Sequence, residues 1–173
     1  MKKISLLIAL IFTALLLVGC GETKEKNVKE TTNIEGTLDE ILTKLYADFK
    51  EDEMPMLDKI NFLERMEDAT DEEHSDRIKY YIGSDKIEAK EVLASEPMIS
   101  SIAYSVVLVR MEEKADIEKA KTEIKENVNP RKWGCVEVPK EDVIVKSKGD
   151  LIILIMVADE ATRTKIETAF DNL

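Results

Sequence analysis

"LIILIMV", Leu151 to Val157, decides the fold. Its seven apolar residues show no alternation, so neither side of the segment is built to face water. A half-exposed strand alternates polar and apolar side chains, whereas an unbroken apolar run of this length fits a central strand covered on both faces. Just before it, Ser147-Lys148-Gly149-Asp150 is a turn sequence, and Asp142 to Lys146 reads as a partner strand. Together they predict a hairpin. Just after it, Asp159 is placed to cap a helix carrying Ala161, Ile166, Ala169 and Phe170.

The pattern repeats upstream. "SIAYSVVLVRM", Ser101 to Met111, is dominated by β-branched residues, and "KIEAKEVLA" before it reads as a second, less regular strand. Asp116 caps a helix through Ile117, Ala120, Ile124 and Val128, which must end by Asn129 because Pro130 follows. The order after residue 86 is strand, strand, helix, strand, strand, helix. Adjacent strands with hairpin turns predict an α+β domain on a four-stranded antiparallel or mixed sheet.

One or two helices should precede this sheet. Leu38, Ile41, Leu42, Leu45, Tyr46 and Phe49 recur at helical spacing, with Thr37 as N-cap and Glu40 completing a capping box. Ile60 to Met66 fits a second short helix or a turn-rich connection, Thr70 to Asp76 a charged loop, and Asp76 to Ile82 either helix or strand. Gly21 to Gly36 is polar, rich in Lys, Glu, Thr and Asn, and reads as a flexible tether with a reach of roughly 20–24 Å.

Ahead of the tether, Met1-Lys2-Lys3 precedes an apolar run from Ile4 to Val18. A spanning helix needs roughly 20 apolar residues, and a shorter run behind a basic start fits a secretory signal peptide. Leu17-Val18-Gly19-Cys20 resembles the bacterial lipobox. That resemblance implies diacylglyceryl transfer to the Cys20 thiol and cleavage between Gly19 and Cys20. Acyl burial stabilises by about 0.8 kcal/mol per CH₂, and two chains hold where one is marginal. The chain then divides into a signal peptide (1–19), a lipidated tether (20–36) and one α+β domain (37–173), helical over 37–76.

Loss of Lys2 and Lys3 would leave 23 basic residues against 36 acidic ones, a net charge of −13. Lipid headgroups and nucleic acids are anionic, so neither suits this surface. With Cys20 lipidated, Cys135 has no intramolecular partner, which excludes a disulfide framework.

Side chains that could carry chemistry are few. His74, the one histidine, sits in "DEEHSD" with neither a second His nor a spaced Cys pair to build a zinc site, and Asp71 to Asp76 holds no glycine for a calcium loop. Cys135 reads as a small hydrophobe beside Trp133, and nothing in the sequence brings it to His74 as a dyad. Ser100 and Ser101 are expected to satisfy backbone groups in a turn. The acidic runs Glu51 to Glu53 and Asp71 to Glu73 are possible acid–base pairs for glycan cleavage, but aromatics make up only 5% of the chain, too few for a sugar cleft. The methionines read as core filler, except that Met54-Pro55-Met56 fits a soft binding patch.

"EPMISSIAYSVVLVRMEEKADIEKAKTEIKEN" followed by "VPKEDVIVKSKGDLIILIMVAD" resembles the bacterial lipoprotein family catalogued as domain-of-unknown-function 4358. The shared features are the Pro97-Met98-Ile99 turn, the strand after it, the helix opening on Asp116, the Pro139-centred turn and the hairpin with Gly149. The chain departs from the family in "NVNPRKWGCVEVPKEDV", where Val138 stands in place of an aromatic before the proline. The resemblance implies a cell-surface lipoprotein, mostly of Gram-positive bacteria, and supplies no activity. The expectation is a non-enzymatic module without a cofactor beyond the diacylglycerol on Cys20. It would be anchored to the membrane by lipid and would bind an envelope protein. The alternative is a small-molecule or ion-binding accessory of an envelope transporter.

Overall fold

A computed structural model describes residues 33–50, 53, 57–61 and 72–173. The elements in chain order are α1 (Leu38–Leu45), β1 (Leu57–Asn61), α2 (Glu72–Ile82), β2 (Ala89–Pro97), β3 (Tyr104–Met111), α3 (Ile117–Asn127), β4 (Ile144–Lys148), β5 (Leu151–Val157) and α4 (Glu160–Asp171). The strands form one sheet in the order β1-β2-β3-β5-β4, and every neighbouring pair is antiparallel. The domain is α+β, as the sequence predicts. No helix among the described residues is long and apolar enough to cross a membrane.

Both faces of the sheet are covered, which is why "LIILIMV" does not alternate. Ile152, Leu154 and Met156 of β5 join Val107, Val109 and Met111 of β3 in one core, under Ile78, Tyr81 and Ile82 of α2 and Ala120 and Ile124 of α3. Leu151, Ile153, Ile155 and Val157 join Val106 and Leu108 in the other, under Leu38, Ile41, Leu42 and Leu45 of α1 and Ile166 and Phe170 of α4. Burying one such side chain stabilises by about 1.5–3 kcal/mol.

The predicted caps form. The Thr37 hydroxyl accepts the Glu40 N–H at 3.2 Å while the Glu40 carboxylate accepts the Thr37 N–H at 2.9 Å. Asp116 accepts from Lys119 N–H at 3.0 Å and Asp159 from Thr162 N–H at 2.8 Å. In the β4–β5 hairpin Lys148 faces Leu151, which leaves a two-residue turn whose first member, Gly149, has φ +57°. Glycine is favoured there because the left-handed region costs it nothing.

Several boundaries differ from the sequence expectation. The sheet has a fifth strand, β1, where a short helix or a turn was expected from Ile60; residues 62–66 of that stretch lie outside the described residues. "LDKIN" has no strand pattern of its own, and its conformation comes from pairing with β2, Leu57 opposite Pro97 and Asn61 opposite Leu93. Of the expected charged loop over Thr70 to Asp76, Thr70 and Asp71 lie outside the described residues and the rest is helical from Glu72; Asp76 to Ile82, read as helix or strand, is helix. An acidic run is also what a helix N-terminus favours, through its macrodipole. α1 stops at Leu45, short of Phe49. β3 starts at Tyr104, not Ser101, and β4 at Ile144, after one turn of 3-10 helix over Lys140–Asp142.

The end of the segment read as a free tether is docked on the domain. The Arg110 guanidinium donates to the Ile34 carbonyl at 2.9 Å, to the Gly36 carbonyl at 2.7 Å and to the Asp150 carboxylate at 2.6 Å. Asp150 in turn accepts the Ile34 N–H at 2.9 Å. Four groups are thus satisfied around one buried ion pair at the far end of β3. Removing one member of such a pair strands the other charge. Arg110→Ala is expected to lower the unfolding free energy by about 3 kcal/mol in urea titration. It should also open residues 33–36 to protease, while Arg110→Lys should hold only part of the clamp.

Candidate functional site

The other end of β2 and β3 carries the densest polar chemistry in the described part of the chain. Glu96 on β2 and Ser105 on β3 turn toward the α2–α3 face, continuing the alternation of Ala94 and Val107. The Ser105 hydroxyl donates to Glu96 Oε1 at 2.6 Å. Lys132 Nζ donates to the same carboxylate oxygen and to Ser105 Oγ, the latter at 3.2 Å. Three rings surround the ammonium, those of Tyr80 at 4.6 Å, Tyr81 at 4.9 Å and Trp133 at 5.5 Å from Nζ. The Lys132 side chain is only 2% exposed.

Local chain geometry brings Lys132 there. Pro130 ends the helical stretch, and the loop after it closes where Val138 N–H donates to the Pro130 carbonyl at 3.0 Å. Gly134, with φ +82°, turns the chain so that Lys132 and Trp133 point into the domain. Burial pushes the Lys132 amine down from its ordinary value, and the Glu96 charge and hydrogen bond oppose that shift. Partial burial and the same Glu96 charge raise the Tyr80 phenol. Trp133 Nε1 is buried with no hydrogen-bond partner.

A second polar chain lies at this end on the opposite face. Tyr104 donates to Tyr46 at 2.9 Å, and Tyr46 donates to Ser95 at 3.0 Å. Burial pushes the Tyr46 phenol up to about 12, against the lowering effect of its bonds to Ser95 and Tyr104. Tyr104 is raised as well, first by burial and then by Tyr46. Both phenols are therefore neutral donors at ordinary pH.

A serine 3.2 Å from a lysine amine is the spacing of an activated nucleophile. With Lys132 in place, Ser105 is fully buried and its proton is directed at Glu96, so Oγ is covered. What the cluster does chemically is bind an ammonium. A carboxylate, a hydroxyl and aromatic faces are the groups that recognise one.

The described residues singled out in the sequence as candidate sites lie outside this cluster. Gly19 and Cys20 are outside the described residues, as are Met54, Pro55, Met56, Met66, Glu51, Asp52 and Asp71. His74 is in the first turn of α2, about two turns before Tyr81. Cys135 is exposed rather than packed, because Gly134 turns the chain outward after Trp133. Ser100 and Ser101 are exposed in the β2–β3 turn. Glu53 is tied to Lys165 at 2.8 Å, and Lys165 also lies 4.6 Å from the Phe49 ring, which makes Glu53 a surface link between segments. Met111 and Met156 are core residues as expected, but Met98 is 68% exposed. The signal that could have revealed the cluster is Glu96, a charge continuing a strand's buried run. Its cation comes from a loop 36 residues away, which no local pattern links to it.

No protein family, curated protein or solved structure matches the chain.

Lys132→Met keeps the apolar stem but leaves Glu96 buried without its cation, and is expected to cost about 3–5 kcal/mol of stability. Adding Glu96→Gln should recover a large part of that loss. Urea unfolding of the two single variants and the double variant measures the coupling.

Proposed function

We propose that the chain is a lipoprotein of the outer face of the cytoplasmic membrane, of the kind its resemblance to domain-of-unknown-function family 4358 implies. Diacylglycerol on Cys20 anchors it, and its α+β domain is a non-enzymatic module that binds another envelope protein. The observation that carries this is the polarity of the domain. At one end of β3, Arg110 holds Ile34 and Gly36, so the N-terminal segment arrives there. At the other lies the turn with Met98 and Ile99, exposed by 68% and 52%, and close to it Tyr80, which covers the lysine bound to Glu96. From Ser105 to Arg110 is roughly 17 Å of strand. β1 begins at the same end, with Leu57 opposite Pro97, immediately after Met54-Pro55-Met56 in the sequence. Exposed methionine and aromatic side chains suit an adaptable protein contact. The net charge of −13 left after signal removal disfavours an anionic lipid surface or nucleic acid as the partner.

An accessory role in binding a small molecule or ion is the alternative. It is favoured by a cleft of about 620 Å³ beside the Arg110 clamp, lined by Lys90, Lys114, Glu91, Glu112 and Glu113 among others.

Cys20→Ala should abolish lipid labelling and leave the chain unprocessed. A processed, lipid-labelled variant would contradict the anchor. Met98→Ser with Ile99→Ser should leave the fold intact and remove the neighbours captured by in-cell crosslinking. Unchanged neighbours would contradict the binding face, and a co-purifying ligand without a protein neighbour would favour the accessory role.

A further inference from the structure

Lys132 occupies a receptor that the rest of the domain builds without it. Glu96 comes from β2, Ser105 from β3, and Tyr80 and Tyr81 from α2, so three elements of the fold fix these groups. The ammonium is delivered separately, by the loop between Pro130 and Val138. That loop carries two energetic costs in its closed position. One is the desolvated lysine, whose amine burial pushes down. The other is the orphaned Trp133 Nε1, a buried donor whose hydrogen bond is unmade. Both are relieved when the loop lifts. Apolar burial seats the loop, with Trp133 and Val138 in the core and Val136 packed against it; its polar link from outside, the Arg131–Glu137 ion pair at 2.6 Å, joins two exposed side chains and adds little. For stability alone, an apolar side chain in place of Lys132 and a neutral one in place of Glu96 would serve as well as a buried ion pair.

We infer that Glu96, Ser105, Tyr80 and Tyr81 form a binding site for a primary alkylammonium group, which Lys132 fills as an internal ligand and from which an incoming amine displaces the loop. A primary ammonium fits better than a quaternary one. Lys132 Nζ donates to both Glu96 and Ser105, and a quaternary nitrogen has no proton to give either. The site lies at the end of the sheet where Tyr80, Met98 and Ile99 are exposed, but it does not depend on the anchor or on a protein partner. Amine groups of free small molecules and of peptides share this chemistry.

Trp133 is the chain's one tryptophan, so its emission reports the loop directly. The full chain, purified in detergent, is titrated with n-propylammonium chloride, with sodium chloride and 1-propanol as controls. The propylammonium ion reproduces the part of the lysine side chain that Lys132→Ala removes. The inference predicts a saturable change in Trp133 emission for wild type with n-propylammonium alone. It predicts half-saturation about tenfold lower in Lys132→Ala, where no tethered competitor remains, and no saturable response in Glu96→Gln. A wild-type response that is absent, or that sodium chloride or 1-propanol reproduces, overturns the inference. So does a saturable response that survives Glu96→Gln. If Lys132→Ala does not fold, the wild-type and Glu96→Gln titrations still decide the question. A methyl-capped lysine peptide titrated in the same way separates peptide amines from small free amines as the source.

Discussion

Seven residue pairs join β3 to β5, from Tyr104 opposite Val157 to Arg110 opposite Leu151, and every side chain on both strands is buried. The rest of the domain depends on this pairing. An antiparallel pair covered on both sides needs a layer of helices on each, so α2 and α3 pack on one face and α1 and α4 on the other. The period of two sends neighbouring side chains to opposite faces. It also means that a polar residue at either end of these strands is buried unless the sheet ends there. Arg110 at one end and Ser105 at the other are such residues, and each has been given partners.

The two ends are satisfied in different ways. Arg110 and Asp150 bind backbone groups of Ile34 and Gly36, so this ion pair fixes where the N-terminal segment meets the domain. Ser105 and Glu96 bind a side chain carried on a loop, Lys132. A guanidinium locked into three hydrogen bonds has little freedom. Lys132 instead is carried on a loop closed at its base by the Val138–Pro130 bond and seated by the buried Trp133 and Val138. One end thus fixes a backbone segment, and the other holds a single side chain.

The sequence made the centre of the fold legible because burial on both faces leaves a run such as Leu151 to Val157 without alternation, and its short length and β-branched residues mark it as strand rather than buried helix. Caps were equally legible: Thr37, Asp116 and Asp159 act locally, within three residues of the groups they satisfy. β1 was not legible, since Leu57–Asn61 owes its extended form to β2 and not to its own composition. The polar cluster was hidden for a related reason. Glu96, Ser105, Tyr80 and Lys132 meet only through tertiary packing, and none has a neighbour in sequence that announces its partner. Cys135 was misread because its neighbour Trp133 is buried, while Gly134 between them reverses the chain.

Native-state hydrogen exchange tests the central claim most directly, because it assigns an opening free energy to each backbone amide. If the β3–β5 pair is the frame on which both ends are built, its amides exchange only through global unfolding. Val107, Leu108, Ile153 and Leu154 should then share the highest free energy in the chain. The amides of the loop from Arg131 to Val138 should open at a distinctly lower value, independently of the sheet. Exchange of the β3 and β5 amides at free energies no higher than those of β4 or this loop would contradict the account.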